Sequence, residues 1–132
     1  MCFVCVLWHP RSEKGSWWYA TARLSVTVLT VIVWSKAGGR CYYTYASHCL
    51  EQSSQFALTC VRDALDRADA ATFQRQVVWA DCGPHFRSSR FLGEVLVTAV
   101  EERPRLLVSE VNLFAEGHGK GPVDAHVVRM SK

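Results

Sequence analysis

The sequence predicts an α/β domain with a sheet that is part antiparallel and part parallel. Three observations predict it. The first third of the chain is rich in β-branched and aromatic residues. Two later stretches carry apolar residues at helical spacing. Each of those stretches is followed by a short apolar run of strand length.

Residues 2–8, Cys-Phe-Val-Cys-Val-Leu-Trp, read as a short buried strand. Pro10 to Ser16 is polar, contains Pro and Gly, and reads as a loop. Trp17 to Trp34 is β-rich, with Val26, Val28, Val31, Ile32 and Val33 beside Thr27 and Thr30. Lys36-Ala37-Gly38-Gly39 is a turn, and Arg40 to Ser47 is the return strand of a hairpin.

The period then changes. Phe56, Cys60, Val61, Ala64, Leu65 and Ala68 recur at three and four, with Ser53 and Ser54 available as caps. Val77 to Ala80 is the next strand. Phe91, Leu92, Val95, Leu96, Ala99 and Val100 repeat the stripe until Pro104 stops it. On this phase Phe56, Val61, Leu65, Phe91, Leu96 and Val100 are expected to be buried against the sheet. Leu106 to Phe114 is another strand, and Pro122 is placed to open a final helix. The expected order is β-β-β-α-β-α-β-α, a single domain over 1–132 that reads as cut at both ends.

The totals bound the function. The chain has 132 residues, is 49% hydrophobic and 20% charged, and carries a net charge of +3. That is a globular composition, long enough for one core. The charge is too mild to demonstrate nucleic-acid binding by itself. Six cysteines are scattered along a chain that needs no staples, which favours a reducing, intracellular setting, nuclear in a eukaryote. Cys60 on a helical stripe and Cys41 on a strand read as small hydrophobes. No signal peptide or membrane span is expected, since the longest apolar run, Leu24 to Trp34, is far too short.

The chemistry concentrates in two segments. Trp79-Ala80-Asp81-Cys82-Gly83-Pro84-His85-Phe86-Arg87 follows one strand. Phe114-Ala115-Glu116-Gly117-His118-Gly119-Lys120-Gly121-Pro122-Val123-Asp124 follows another. Acids at the ends of neighbouring strands suit a hard divalent cation. Cations and backbone N–H groups on the adjoining turns suit phosphate oxygens. Arg90 extends that cationic set.

The element order resembles the ribonuclease H-like fold, with a mixed five-stranded sheet and helices packed on it. The two segments resemble motifs of the DDE-type transposases, the integrase-like catalytic domains and their domesticated derivatives. The element order covers nearly the whole chain, and the specific motifs cover about residues 76–126. The resemblance implies that Asp81 and Asp124 are catalytic carboxylates, with Glu116 competing for the role of Asp124. It implies that Asp81 and Asp124 hold Mg²⁺ or Mn²⁺ for cleavage or strand transfer on DNA. His85, Arg87, Arg90, His118 and Lys120 are then the expected substrate contacts, and a homo-oligomer is an expected assembly. The chain departs from the pattern at one point. The family places an Asp on the first strand, and residues 2–8 contain no acid; Glu13 is the nearest. An inactive, DNA-binding form is therefore the expected outcome.

Other readings of the same residues stand beside this one. One is a non-enzymatic domesticated domain that binds DNA or protein. Another is a small module stabilised by zinc, drawing on Cys2, Cys5, His9, Cys82 and His85. Against it, residues i and i+3 of a strand point to opposite faces. Asp81 before Gly-Pro is also an ordinary turn residue. Trp17, Trp18, Tyr19, Tyr42, Tyr43 and Tyr45 can stack bases, and are expected instead to fill the core. The Gly-His-Gly-Lys-Gly run is not a nucleotide-binding P-loop, because Phe114 and Gly121 stand where that motif needs Gly and Ser or Thr.

Overall fold

A computed structural model describes the backbone of residues 2–9 and residues 27–36, 39–47 and 53–114 in full. The strands are β1 (Cys2–His9), β2 (Thr27–Ser35), β3 (Gly39–Ser47), β4 (Arg75–Ala80) and β5 (Val108–Leu113). Their ladder order is β3-β2-β1-β4-β5. The β1–β2 and β2–β3 pairs are antiparallel, and β1–β4 and β4–β5 are parallel.

The β-branched run of β2 explains its central position. Leu29, Val31 and Val33 are buried on one face, and Thr30 and Ile32 on the other. The hairpin to β3 closes through Gly39, whose φ of 73° is left-handed backbone that favours glycine.

Helix α1 (Ser54–Arg67) starts where Ser53 Oγ accepts the Phe56 amide at 3.3 Å. Its stripe of Ala57, Leu58, Cys60, Val61, Ala64 and Leu65 packs on Leu29, Val31 and Val33. Tyr43 and Tyr45 reach the same core from β3. The Tyr45 hydroxyl donates to Asp63 at 2.8 Å, and Arg67 donates to the same carboxylate oxygen at 2.7 Å. This ties the outer strand to α1. A 3₁₀ turn (Ala70–Thr72) then leads into β4.

The second helical stretch is irregular. It runs as α2 (Ser89–Gly93), a π-helical stretch (Glu94–Thr98) and α3 (Ala99–Glu102). The Ala99 amide donates back to Glu94, five residues earlier. The Val95 carbonyl instead accepts the Ser109 hydroxyl of β5 at 2.8 Å. Ser109 Oγ also lies 3.2 Å from Gln76 Nε2, and Arg103 donates to Gln76 Oε1 at 2.9 Å. Gln76 is 1% exposed, so this chain of bonds satisfies a polar side chain in the core.

The expected ribonuclease H-like class, with five strands in a mixed sheet and three helices in the order β-β-β-α-β-α-β-α, is corrected by these elements. Outside β1, the described strands form an antiparallel pair, β2–β3, and a parallel pair, β4–β5, with two helical stretches rather than three helices. Only backbone is described for β1, which lies between the pairs. The helix expected from Pro122 lies outside the described residues. The eight-element order is therefore not formed among the described residues.

The helical phase is corrected as well. Val95 is 4% exposed and Leu96 38%, because Val95 lies four residues after the buried Phe91, on the same helix face, and Leu96 lies one residue further round. Val61, Leu65 and Phe91 are buried as expected, whereas Phe56 and Val100 are half-buried. Strand limits differ too. Leu106 is buried in the turn after Pro104, and Leu107 and Val108 are exposed at the start of β5. Residues 10–26, most of the expected β-rich Trp17–Trp34 run, lie outside the described set apart from Thr27 onward.

Candidate functional site

The site is built where β4 and β5 end. The register pairs Ala80 with Leu113, and the Phe114 amide donates to the Ala80 carbonyl at 2.9 Å. The Cys82 thiol donates to the Phe114 carbonyl, and the Trp79 and Phe114 rings lie 5.2 Å apart. Asp81 is the first residue beyond β4. It therefore sits beside the last described residue of the chain that continues toward Glu116.

The turn after Asp81 is fixed from within. Asp81 Oδ1 accepts the Gly83 amide at 2.7 Å, an Asx turn. The Gly83 carbonyl accepts the Phe86 and Arg87 amides at 3.1 and 3.3 Å. Ser88 Oγ donates to the His85 carbonyl at 2.8 Å and accepts the Phe91 amide at 3.2 Å, so one hydroxyl closes the turn and caps α2. Phe86 is fully buried, with its ring edge-on to Phe91 at 5.2 Å. It pins the turn to the core.

Gly83 has no room for a side chain. A β-carbon there would lie 2.6 Å from His85 Cε1, 2.9 Å from His85 Nε2 and 2.8 Å from Asp81 Oδ1. The Asp81 carboxylate and the His85 imidazole thus converge on one glycine. Burial holds the His85 imidazole below its ordinary pKa, and the nearby Asp81 carboxylate opposes that shift. Its ring also packs on Phe86 at 4.2 Å.

Arg87 and Arg90 are both exposed, on either side of the Ser88 cap. The structure therefore groups Asp81, His85, Arg87 and Arg90 within one short segment. Glu116, His118, Lys120 and Asp124 lie outside the described residues, so the expected approach of Asp81 and Asp124 falls there too. Among the described residues no three His, Cys, Asp or Glu side chains stand together as a metal site. Asp81 offers oxygen donors of the kind Mg²⁺ and Mn²⁺ take, with one oxygen engaged by Gly83. Glu116 and Asp124 are the further carboxylates expected for such an ion.

The Cys82 thiol is engaged by the Phe114 carbonyl. Cys60 is buried in α1, and its thiol is pushed up to about 12 by burial, so it stays protonated. Cys41, read from sequence as a small core hydrophobe, is exposed on β3. Outer-strand residues have fewer neighbours to cover them.

Sequence reasoning missed three residues of this site. Phe86 is the anchor, and its signal was a large apolar residue between His85 and Arg87. Gly83 is required for space. Ser88, an N-cap followed three residues later by Phe91, could have been read from capping rules. The sequence matches no known family model, and no curated protein matches it. Among the described residues, no helix is long and apolar enough to cross a membrane.

Proposed function

We propose that this chain is a transposase-derived DNA-binding domain that engages phosphodiesters at the paired ends of β4 and β5. The observation that carries the reading is the hydrogen bond from the Phe114 amide to Ala80. It sets Asp81 beside the start of the segment that carries Glu116, His118, Lys120 and Asp124 in sequence. Two acidic motifs far apart in the chain thereby leave from adjacent strand ends, as carboxylates sharing a divalent cation require.

The roles follow from chemistry. Asp81, with Asp124 or Glu116, holds Mg²⁺ or Mn²⁺; such an ion stabilises charge on a phosphodiester oxygen when bound. Arg87 and Arg90, both exposed, contact phosphate, and among the described residues neither forms an ion pair. His118 and Lys120 add to that patch. His85 stays largely neutral near pH 7 and orients the Asp81 turn through Gly83 rather than adding charge. With no acid in residues 2–8, the site has fewer carboxylates than a full triad, and binding outlasts cleavage.

The test is nicking of a labelled duplex with Mg²⁺ or Mn²⁺, comparing the chain with Asp81→Asn and Asp124→Asn. The expected result is salt-sensitive binding with little nicking. Robust cleavage lost in both variants would overturn the binding-only reading and require another acid, Glu13 foremost. Binding indifferent to salt would remove the phosphate patch.

A further inference from the structure

The β2–β3 hairpin carries a second cluster at the other end of the sheet. β2 runs antiparallel to β1, and β4 runs parallel to it, so Trp34 lies away from Asp81. Strand geometry puts the two roughly 16 Å apart, from four residues along and two strands across.

Trp34 is 47% exposed and Tyr42 37%. Both point away from α1, because Leu29, Val31 and Val33 take the α1 face and side chains alternate. Arg40 pairs with Trp34 in the register, and its guanidinium lies 4.2 Å from the Trp34 ring centroid. Arg40 Nη1 also donates to the Tyr42 hydroxyl at 3.3 Å. Lys36, exposed, follows Ser35 in the hairpin turn. The surrounding sequence is one-sided in charge. Residues 14–50 contain Lys14, Arg23, Lys36 and Arg40 and no Asp or Glu.

We infer that Trp34, Arg40 and Tyr42 form a stacking platform for an unpaired base of single-stranded nucleic acid, with Lys36 and Arg40 on its phosphates. Aromatic faces on a sheet surface take bases without sequence preference, and flanking cations follow the backbone. The acid-free hairpin supplies the charge complementarity that selects a polyanion over an apolar peptide. The Arg40 guanidinium over the indole keeps a positive charge at the platform, and with Nη1 donating to Tyr42 its remaining N–H groups can serve phosphate. This deepens the nucleic-acid reading above and rests on it for the class of ligand, but uses different residues at the opposite sheet end.

The experiment compares a short labelled oligothymidylate, an abasic strand of the same length and a duplex, by anisotropy and by tryptophan quenching. Trp34→Ala is expected to weaken oligothymidylate binding about ten-fold and to leave duplex and abasic binding unchanged. Trp34→Phe keeps a ring and is expected to restore most of the affinity. Arg87→Ala/Arg90→Ala is expected to weaken the duplex and spare oligothymidylate stacking. Equal oligothymidylate affinity in Trp34→Ala and the parent chain would overturn the platform while leaving the Asp81 site standing. So would an abasic strand that binds as tightly as oligothymidylate. Self-association that depends on Trp34, without oligothymidylate binding, would assign the face to a second copy and overturn it as well. A parent chain that binds oligothymidylate but no duplex, or a duplex affinity unchanged in Arg87→Ala/Arg90→Ala, would strike the Asp81 reading and not this one.

Discussion

The Phe114 amide donates to the Ala80 carbonyl at 2.9 Å, where Ala80 lies one residue before Asp81 and Phe114 two residues before Glu116. This bond extends the β4–β5 ladder past its last paired residues, Ala80 and Leu113. Two segments that share no local sequence therefore leave the sheet at one point. The functional reading depends on that meeting more than on either motif alone.

Gly83→Ala is expected to disturb this end of the sheet. The new methyl would meet the His85 ring at 2.6 Å and the Asp81 carboxylate at 2.8 Å. His85 is held by Phe86, so it cannot swing away without moving a buried ring. A loss of about 1–3 kcal/mol is expected in urea unfolding, the usual range for overpacking. Duplex binding should weaken with it, since Arg87 follows the same turn. An unchanged unfolding midpoint would show that the turn has room the geometry denies.

The π-helical stretch makes a sharper prediction about packing. Val95→Ala is expected to cost about 1–3 kcal/mol, as a truncation in the core. Leu96→Ala is expected to stay within about 0.5 kcal/mol, as a surface change. The burial expected from sequence, through Phe91, Leu96 and Val100, puts the larger loss at Leu96 instead. Denaturant midpoints of the two variants decide between them.

Much of the fold was legible because local signals were consistent. Ser53 before the Phe56–Leu65 stripe marked the start of α1, and Gly39 marked the hairpin. The Asp81 turn was legible as chemistry, since Asp, Gly-Pro, His and Arg lie within seven residues. Leu96 is exposed because it lies five residues after Phe91, off the face that Val95 continues at four. The π stretch answers to Ser109, which takes the Val95 carbonyl, and that partner lies fourteen residues away in sequence. Gln76 is polar, and its burial is possible because Ser109 and Arg103 satisfy its side-chain amide. Long-range hydrogen bonds leave no period in a sequence. Tyr42, expected in the core, is 37% exposed, because it lies on the face of β3 opposite Tyr43 and Tyr45, which pack toward α1.

Acid should weaken the folded state through His85. Burial lowers its folded pKa below the unfolded value of about 6.5, with Asp81 opposing. The unfolded chain therefore takes up a proton first as pH falls, and stability declines from about pH 6.5 down to the folded value. Below both values the loss is complete and the dependence on this group ends. Urea midpoints at pH 7 and pH 5 should differ less in His85→Asn than in the parent chain. An identical pH dependence in both would remove His85 from the account.

The central claim is that the Asp81 carboxylate, at the paired ends of β4 and β5, holds a divalent cation. Mn²⁺ binding followed by electron paramagnetic resonance, on the parent chain and on Asp81→Asn, tests it without reference to cleavage. The account predicts saturable Mn²⁺ binding that weakens about ten-fold or more in Asp81→Asn, the loss expected when a hard cation gives up one of its few carboxylates. Equal Mn²⁺ affinity in the two proteins would contradict it.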